Sequence, residues 1–293
     1  MNKDALLAAT LLHIPSLRPW ERIRLYQQVQ KEDLDWERVG QRDVESLVGR
    51  PLAVPSWNMA DWIHRGNQDL ERALRRGIRW VLYGDPAYPP LLREISDPPL
   101  LLYMRGSLLD VERPCVAIVG TREPTPAGRK DAYRLGREFA SAGLAVVSGL
   151  ARGIDAMAHR GALDGKGITL AVLGSGLDGV YPVSNRPLAE RIVHEGGTLI
   201  SEYAPGVPPY KWHFPARNRI IAGLSRTIVI SEAPEHSGAL ITAQFGLDMG
   251  RDVWVSSINK ESPRGKGACQ LVEQGAPWIH TAEDVLHDWQ MVP

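Results

Sequence analysis

The chain has 293 residues, of which 44% are hydrophobic, so it is long enough for one large globular domain with a smaller companion. Its 34 lysines and arginines are balanced by 34 aspartates and glutamates. This balance excludes a generally basic nucleic-acid-binding or membrane-surface protein, so any polyanion must be held by a local patch.

The cysteines and the apolar runs further restrict the class of protein. Cys115 and Cys269 are expected to be reduced core thiols of a cytoplasmic protein and not a disulfide framework. No Cys-x-x-Cys or His-Glu-x-x-His spacing predicts a metal site. The apolar stretch 5–14 follows Asp4 and is predicted to be an amphipathic helix, and no apolar run approaches the ~20 residues that span a bilayer. We therefore expect no metal, no cofactor and no membrane partner.

Residues 1–77 are predicted to form a small helical accessory domain. Short connections that contain proline or glycine separate its helices. The predicted helices are residues 4–14, 19–31, 43–47, 57–66 and 68–76. The segment 14–17 is weakly similar to a helix-hairpin-helix or SAM-type module, and a compact accessory bundle is the favoured interpretation.

Residues 78–293 are predicted to form an α/β domain with a doubly wound, mainly parallel sheet. Residues 80–83 and 100–103 lie in a proline-rich insertion and are predicted to add edge strands. The run 116–119 is apolar without alternation, as in a strand that is buried on both faces. Thr125 and Pro126 are suited to begin the next helix. Further strands are predicted at residues 144–147, 168–173, 198–200, 227–230, 253–255 and 277–280.

Polar or glycine-bearing loops follow five of these strands. In parallel sheets ligands bind beyond the carboxyl ends of the strands, so Thr121 and Arg122 are expected to face a ligand site. The segment 174–179 matches G-x-G-x-x-G, but Pro182 prevents the helix that a dinucleotide site requires. We interpret it as a turn that lets the backbone approach a phosphate closely.

The segment 210–219 carries three cations, no acid and several rings. Pro215 is predicted to begin a helix, which would put Arg217 and Arg219 in its first turn, where a positive charge costs ~0.3–1 kcal/mol. A bound anion would reverse the sign of that cost. Single-stranded nucleic acid fits best, because phosphates suit the arginines and bases can stack on Phe214 or Trp212. In the alternative interpretation the rings are core and the arginines pair with Glu202 or Glu232; spacing leaves both open.

Two further groups accompany this segment. The backbone amides of Ser237 and Gly238 begin a predicted buried helix and are expected to project toward the same edge. Asp155 and His159 lie four residues apart on another helix, where a capping or packing role is favoured over a catalytic pair.

Several segments together resemble the DNA-processing protein A family, also called DprA or Smf, over about residues 80–280. The matching segments are residues 84–92, 119–128, 147–159, 214–225 and 237–243. The resemblance implies an extended Rossmann-like domain after a SAM-like helical domain, without an established catalytic reaction or cofactor. It also implies a homodimer that protects incoming single-stranded DNA during natural transformation and loads the RecA recombinase. By motif, the DNA-binding residues are Arg122, Arg152, Phe214, Arg217, Asn218 and Arg219, to which the segment itself adds Lys211.

The chain departs from the family pattern at three places. It has Ser256 and Ser257 where a Pro-Gly turn is common, an altered segment at 265–269, and Val183 where a basic residue is common. We also expect no C-terminal winged-helix domain. One alternative function is an enzyme related to the phosphoribohydrolases, although the corresponding stretch 235–243 lacks the acid at its end. A second is a protein-interaction scaffold that has lost DNA binding.

Overall fold

The computed structural model describes residues 2–32 and 34–290, which form a large sheet covered by helices on both faces. The strands are β1 (Arg79–Leu82), β2 (Leu101–Gly106), β3 (Cys115–Val119), β4 (Ala145–Ser148), β5 (Thr169–Val172), β6 (Thr198–Ser201), β7 (Thr227–Ile230), β8 (Asp252–Ser256) and β9 (Trp278–Ile279). The helices are α1 (Lys3–His13), α2 (Pro19–Glu32), α3 (Gln41–Val48), α4 (Met59–Arg75), α5 (Pro90–Arg93), α6 (Pro126–Ser141), α7 (Ile154–Asp164), α8 (Arg186–His194), α9 (His213–Leu224), α10 (Gly238–Asp248), α11 (Lys266–Glu273) and α12 (Ala282–Gln290).

The described strands form one sheet in the order β1-β2-β6-β5-β4-β3-β7-β8-β9. In this spatial order, all neighbouring strands between β6 and β9 are parallel, and β2 is antiparallel to both of its neighbours, β1 and β6. The doubly wound, mainly parallel sheet with added edge strands is therefore confirmed. The chain winds outward in one direction from β3 to β6 and then continues at β7 on the other side of β3, so the switch point lies between β3 and β7.

Helices cover both faces because the central strands are apolar on both sides. Alternate residues of β3 belong to different cores: Val116 and Ile118 pack with α6 and α7, whereas Ala117 and Val119 pack with α9 and α10. The Thr125 hydroxyl caps α6 by accepting the Gly128 N–H at 3.0 Å, as predicted.

The N-terminal helices share a continuous core with the sheet. Residues of α1, α2 and α4 pack in the same buried cluster as β2, β6 and α8. The predicted helices at 57–66 and 68–76 are one continuous helix, α4, so the predicted break is wrong. Gly66 does not end the helix: it lies against α1, and a Cβ at this position would be 2.8 Å from the Thr10 backbone nitrogen. The division into two domains at residue 77 stays a prediction.

The predicted last elements are also present. After β9, the Asp284 carboxylate accepts the N–H groups of His280 and Thr281 at 2.6 and 3.0 Å and so caps α12. Cys115 and Cys269 are free thiols. None of the helices in the described ranges combines the length and apolar character needed to cross a membrane.

Candidate nucleic-acid interface

The loops that follow the parallel strands meet at the carboxyl edge of the sheet. The loop after β3 is joined to the loop after β7, because the Thr121 N–H donates to the Glu232 carbonyl at 2.7 Å. It is also joined to the loop after β4, since the Ile154 N–H donates to the Thr121 carbonyl at 3.2 Å. This edge includes the switch point, where ligands bind in doubly wound sheets.

The loop after β3 turns Thr121 inward and Arg122 outward. The loop begins at Gly120. There is no space for a side chain at this position, because a Cβ would lie 2.8 Å from the Glu232 carbonyl oxygen. The Glu232 side chain is fully buried and accepts hydrogen bonds from the backbone N–H and the hydroxyl of Thr125, both at 2.8 Å. Thr121, which was expected to face a ligand, is buried, whereas Arg122 is exposed. Only the arginine of this pair is available to a phosphate.

Helix α9 begins earlier than Pro215, and this changes the electrostatic argument. Its first residue is His213, so Arg217 is the fifth residue of the helix and Arg219 the seventh. Pro215 is tolerated as the third residue because the first N–H groups of a helix have no partner within it. The predicted cost of cations in the first turn is therefore wrong for both arginines. Tyr203 stacks on His213 at 3.8 Å between ring centroids and helps to fix this start.

Arg217 is sealed inside the edge and is only 4% exposed. Its Nη1 donates to the Gly149 carbonyl at 2.7 Å and to the Val172 carbonyl, so it joins the loop after β4 to the end of β5. Gly149 must be glycine here, since a Cβ would lie 2.6 Å from the guanidinium. Burial lowers the pKa of Arg217 to about 10, although the nearby Asp155 carboxylate opposes this shift. The guanidinium thus stays charged at neutral pH and holds backbone carbonyls, and the DNA contact predicted for Arg217 stays a prediction.

Arg219 is also internal. Its side chain forms a two-pronged ion pair with Glu202, in which both N–O distances are 2.7 Å, and its Nε donates to the Asp97 carboxylate at 3.1 Å. Arg219 is 7% exposed. The alternative interpretation of this residue, in which it pairs with Glu202, is the one that the structure bears out. The guanidinium that was predicted to bind DNA is held by carboxylates from distant parts of the chain.

Three of the predicted cations are exposed: Arg122, Arg152 and Lys211. Within residues 2–32 and 34–290, none of them has a carboxylate oxygen within 4 Å. Arg122 and Arg152 lie on touching loops, because a Cβ on the adjacent Gly153 would be 2.7 Å from the Arg122 carbonyl carbon. These side chains are free to meet an anion.

Aromatic rings lie beside these cations. The Arg122 guanidinium is 5.5 Å from the centroid of the Phe214 ring, a cation–π distance. Tyr181, which is 49% exposed, lies 5.5 Å from Phe214. Tyr210 and Trp212 are parallel, with centroids 4.7 Å apart, and Trp212 is 67% exposed. Sequence reasoning omitted Tyr181 and Tyr210 from the predicted site, although their position beside proline turns on strand-end loops was a usable signal.

The remaining predicted residues support this edge or lie next to it. Asn218 is half-buried; its Oδ1 accepts from Arg217 at 3.2 Å and its Nδ2 donates to the Gly238 carbonyl at 3.2 Å. Ser237 caps α10, because its hydroxyl accepts the Ala239 N–H at 3.3 Å. Gly238 is exposed at the first turn of α10. Asn218 thus connects the interior arginine to the start of α10.

The segment 174–179 is a turn, as predicted, and protein packs closely against two of its three glycines. A Cβ on Gly176 would be 2.5 Å from the Ala204 carbonyl oxygen. A Cβ on Gly174 would be 3.3 Å from the Phe214 ring. These two glycines therefore admit the loop after β6 and the start of α9, whereas a Cβ on Gly179 would have no neighbour within 4 Å, and the phosphate interpretation stays a prediction.

Asp155 and His159 have separate hydrogen-bond partners. Asp155 accepts the Gly149 and Ala151 N–H groups at 3.1 and 3.3 Å, which is the predicted capping role. His159 is fully buried, and its Nδ1 is 2.7 Å from the Thr169 hydroxyl. Burial, with a smaller contribution from Arg217, lowers the pKa of His159 to about 3, so the ring is neutral. In the described part of the chain, no group of three His, Cys, Asp or Glu residues is placed to hold a metal ion.

The sheet and its loops define a Rossmann-like α/β protein. On the exposed rim of the carboxyl edge of its sheet, cations lie beside aromatic rings. The family model of DNA recombination-mediator protein A matches residues 79–290. The chain belongs to this family, which confirms the resemblance to DprA and Smf.

Known relatives agree with this assignment. Protein Smf from Synechocystis is 42% identical over 261 residues, which cover 88% of this chain and 63% of the relative, so the chain spans less than two thirds of that protein. The X-ray structure of DNA processing protein A from Streptococcus pneumoniae is similar with a TM-score of 0.78 at 33% identity, over 96% of this chain and 95% of the other. A structure of the Helicobacter pylori protein, described for its single-stranded DNA binding mode, has a TM-score of 0.65 at 29% identity over 72% and 96% of the two chains.

Proposed function

We propose that this chain binds single-stranded DNA without sequence preference at the carboxyl edge of its sheet. The observation that carries the proposal is the exposed Arg122 guanidinium over the Phe214 ring, on a rim with two further exposed cations, Arg152 and Lys211. A single strand offers both matching chemistries, because its phosphates attract cations and its bases stack on aromatic faces. The single-stranded DNA binding mode described for the Helicobacter pylori relative supports the same ligand.

The proposal divides the site residues into two groups. Arg122, Arg152 and Lys211 meet phosphates, while Phe214 and Trp212 stack with bases. The interior residues keep the loops in place, and the exposed start of α10 adds the Gly238 backbone N–H for a phosphate, whereas the Ser237 N–H donates to the Pro234 carbonyl at 3.2 Å. These supporting residues are Thr121, Arg217, Asn218, Arg219, Ser237 and Gly238.

Binding of a fluorescent oligothymidylate, followed by anisotropy over a salt series, tests the proposal. Three phosphate contacts predict a slope of log affinity against log salt of about −2, since each contact on a single strand contributes ~−0.7. Arg122→Ala should weaken binding at low salt, whereas Arg160→Ala, which removes another exposed arginine on α7, should change it little. Affinity that is insensitive to both Arg122→Ala and salt would show that phosphates are not held at this rim.

We further propose that the protein acts in the cytoplasm as a homodimer, protects incoming single strands during natural transformation and loads the RecA recombinase onto them. Membership of the DNA recombination-mediator protein A family supports this role. Sedimentation velocity tests the dimer. Nucleation of RecA filaments on DNA coated with single-strand-binding protein tests the loading, which should require the purified chain and be lost together with DNA binding in Arg122→Ala.

The proposed function involves no turnover. Asp155 and His159, the buried titratable pair near this edge, are held by backbone N–H groups and by a threonine hydroxyl. Incubation with nucleoside monophosphates and chromatography for released base separates this proposal from a phosphoribohydrolase activity. Base release at a rate proportional to protein concentration would favour the enzyme.

A further inference from the structure

The loop between β6 and α9 carries several exposed side chains at the proposed DNA-binding site. Tyr210, Lys211 and Trp212 are all exposed. The hydrogen bonds recorded around them are local: the Tyr210 N–H donates to the Pro208 carbonyl at 2.9 Å, and the His213 N–H donates to the Tyr210 carbonyl at 3.0 Å. The position of this segment therefore depends on how its two ends are held.

The first end is held from the N-terminal helices by Arg72 of α4. The Arg72 Nη1 donates to the Pro205 carbonyl at 2.9 Å, across 133 residues of sequence. The next residue, Gly206, has φ +95°, and a Cβ there would overlap the Arg72 guanidinium. Glycine at 206 thus provides both the backbone conformation and the space that this contact needs.

The opposite side of the same loop rests on the glycine-rich turn 174–179. The Asp178 carboxylate accepts the Gly206 N–H at 2.7 Å, and the Gly176 N–H donates to the Val207 carbonyl at 2.9 Å. Val180 and Ala204 pack against the hydrophobic core that the N-terminal helices share with the sheet. Residues 204–207 are therefore held between α4 on one side and this turn on the other.

We infer that Arg72 is a positioning residue, through which the N-terminal helices fix the loop that presents Lys211 and Trp212 to DNA. The inference rests on the proposed function, because it assumes that this loop contacts a single strand. Loss of the Arg72 hydrogen bond would leave residues 204–207 attached through the turn 174–179 and through the packing of Ala204 against the core. The segment 208–212 would then sample more positions, and binding would have to restrict them.

The test compares Arg72→Gln with Arg75→Gln. Arg75 is also an exposed arginine on α4, but its ion pair is with Glu71 on the same helix, at 3.8 Å. Both variants remove one positive charge, and only Arg72→Gln removes the contact with the loop. The first measurement needs no DNA: limited trypsin digestion with mass spectrometry follows cleavage after Lys211, which requires local opening of the segment. The second measurement is oligothymidylate affinity by anisotropy at one salt concentration.

We expect Arg72→Gln to speed cleavage after Lys211 and to weaken oligothymidylate binding, each about two- to tenfold, as for the loss of one hydrogen bond. Arg75→Gln should leave both close to the unsubstituted protein. In a Trp212→Ala background, the effect of Arg72→Gln on affinity should shrink, because the residue being positioned has been removed.

The outcomes separate the inference from the proposed function. Unchanged cleavage in Arg72→Gln overturns the inference even if the protein binds DNA. Faster cleavage with unchanged affinity overturns the positioning role. Equal losses of affinity in both variants assign the effect to charge and also overturn it. Absence of binding by the unsubstituted protein overturns the proposed function and, with it, the DNA part of the inference, while the cleavage rates still decide whether Arg72 holds the loop.

Discussion

Replacing Arg219 by glutamine should damage the fold and not the DNA-binding surface directly. The side chain is 9% exposed, and it satisfies the Glu202 carboxylate with two hydrogen bonds and Asp97 with a third. Removing one partner of a buried ion pair costs ~3–5 kcal/mol, because the other charge is left unpaired. Glu202 retains 20% exposure of its side chain, so water can recover part of this cost. We therefore expect a loss near the lower limit, about 3 kcal/mol.

Urea unfolding measures this loss as a lower midpoint at unchanged slope. The expected fall in melting temperature is about 6 °C, at ~2 °C per kcal/mol for a chain of this size. Arg122→Gln is the matched control: the same substitution on the exposed rim should change stability by less than ~0.5 kcal/mol and weaken oligonucleotide binding. Adding Glu202→Gln to Arg219→Gln should restore part of the stability, since no unpaired carboxylate remains at that position. The reasoning is refuted if Arg219→Gln keeps full stability and loses DNA affinity at low salt, because Arg219 would then be a phosphate ligand.

Three other changes test neighbouring parts of the edge. Gly149→Ala should destabilise the protein by ~1–3 kcal/mol in urea, since its Cβ would lie 2.6 Å from the Arg217 guanidinium; an unchanged midpoint would contradict that close contact. Trp212→Ala should weaken oligothymidylate binding about five- to 150-fold, the equivalent of ~1–3 kcal/mol of stacking, and leave the unfolding midpoint in place. His159 has a pKa near 3 in the fold and 6.5 in the unfolded chain, so its stabilising contribution is complete above pH 6.5 and decreases as the pH falls. Between pH 7 and pH 5 this predicts a loss of about 2 kcal/mol, which His159→Asn should largely abolish; equal pH slopes in both proteins would refute the assignment.

The framework of the fold could be predicted from sequence because its signals are local. The apolar run at β3, the cap at Thr125 and the final cap at Asp284 depend on residues within a few positions of one another. The break predicted in α4 was wrong because the role of Gly66 depends on a contact between residues that are far apart in the sequence. Gly66 is a weak helix residue by propensity, but it allows α1 to approach, and its neighbour Thr10 lies 56 residues away.

The candidate site was harder, because exposure depends on distant partners. The segment 210–219 shows its cations and rings directly, and Arg122 over Phe214 lies where the strand-end argument put it. Nothing in the spacing shows that Arg217 reaches the Gly149 carbonyl, 68 residues earlier, or that Arg219 also meets Asp97, 122 residues earlier. The sequence identifies an arginine as a cation, whereas only the packing of the fold shows which groups lie next to its charge.

The interior arginines explain how the exposed ones can act together. Parallel strands end in carbonyls at one edge, and beyond that edge individual hydrogen bonds, such as that from the Thr121 N–H to the Glu232 carbonyl, hold the loops to each other. Arg217 supplies donors to the loop after β4 and the end of β5, and Arg219 ties α9 to the loop after β6 and to the insertion before β2. Because these contacts fix the loops before any ligand arrives, the single strand that we propose to dock on Arg122 and Lys211 would have less conformational entropy to remove. Under the proposed function, the buried arginines of this edge hold loops together and the exposed arginines meet phosphates.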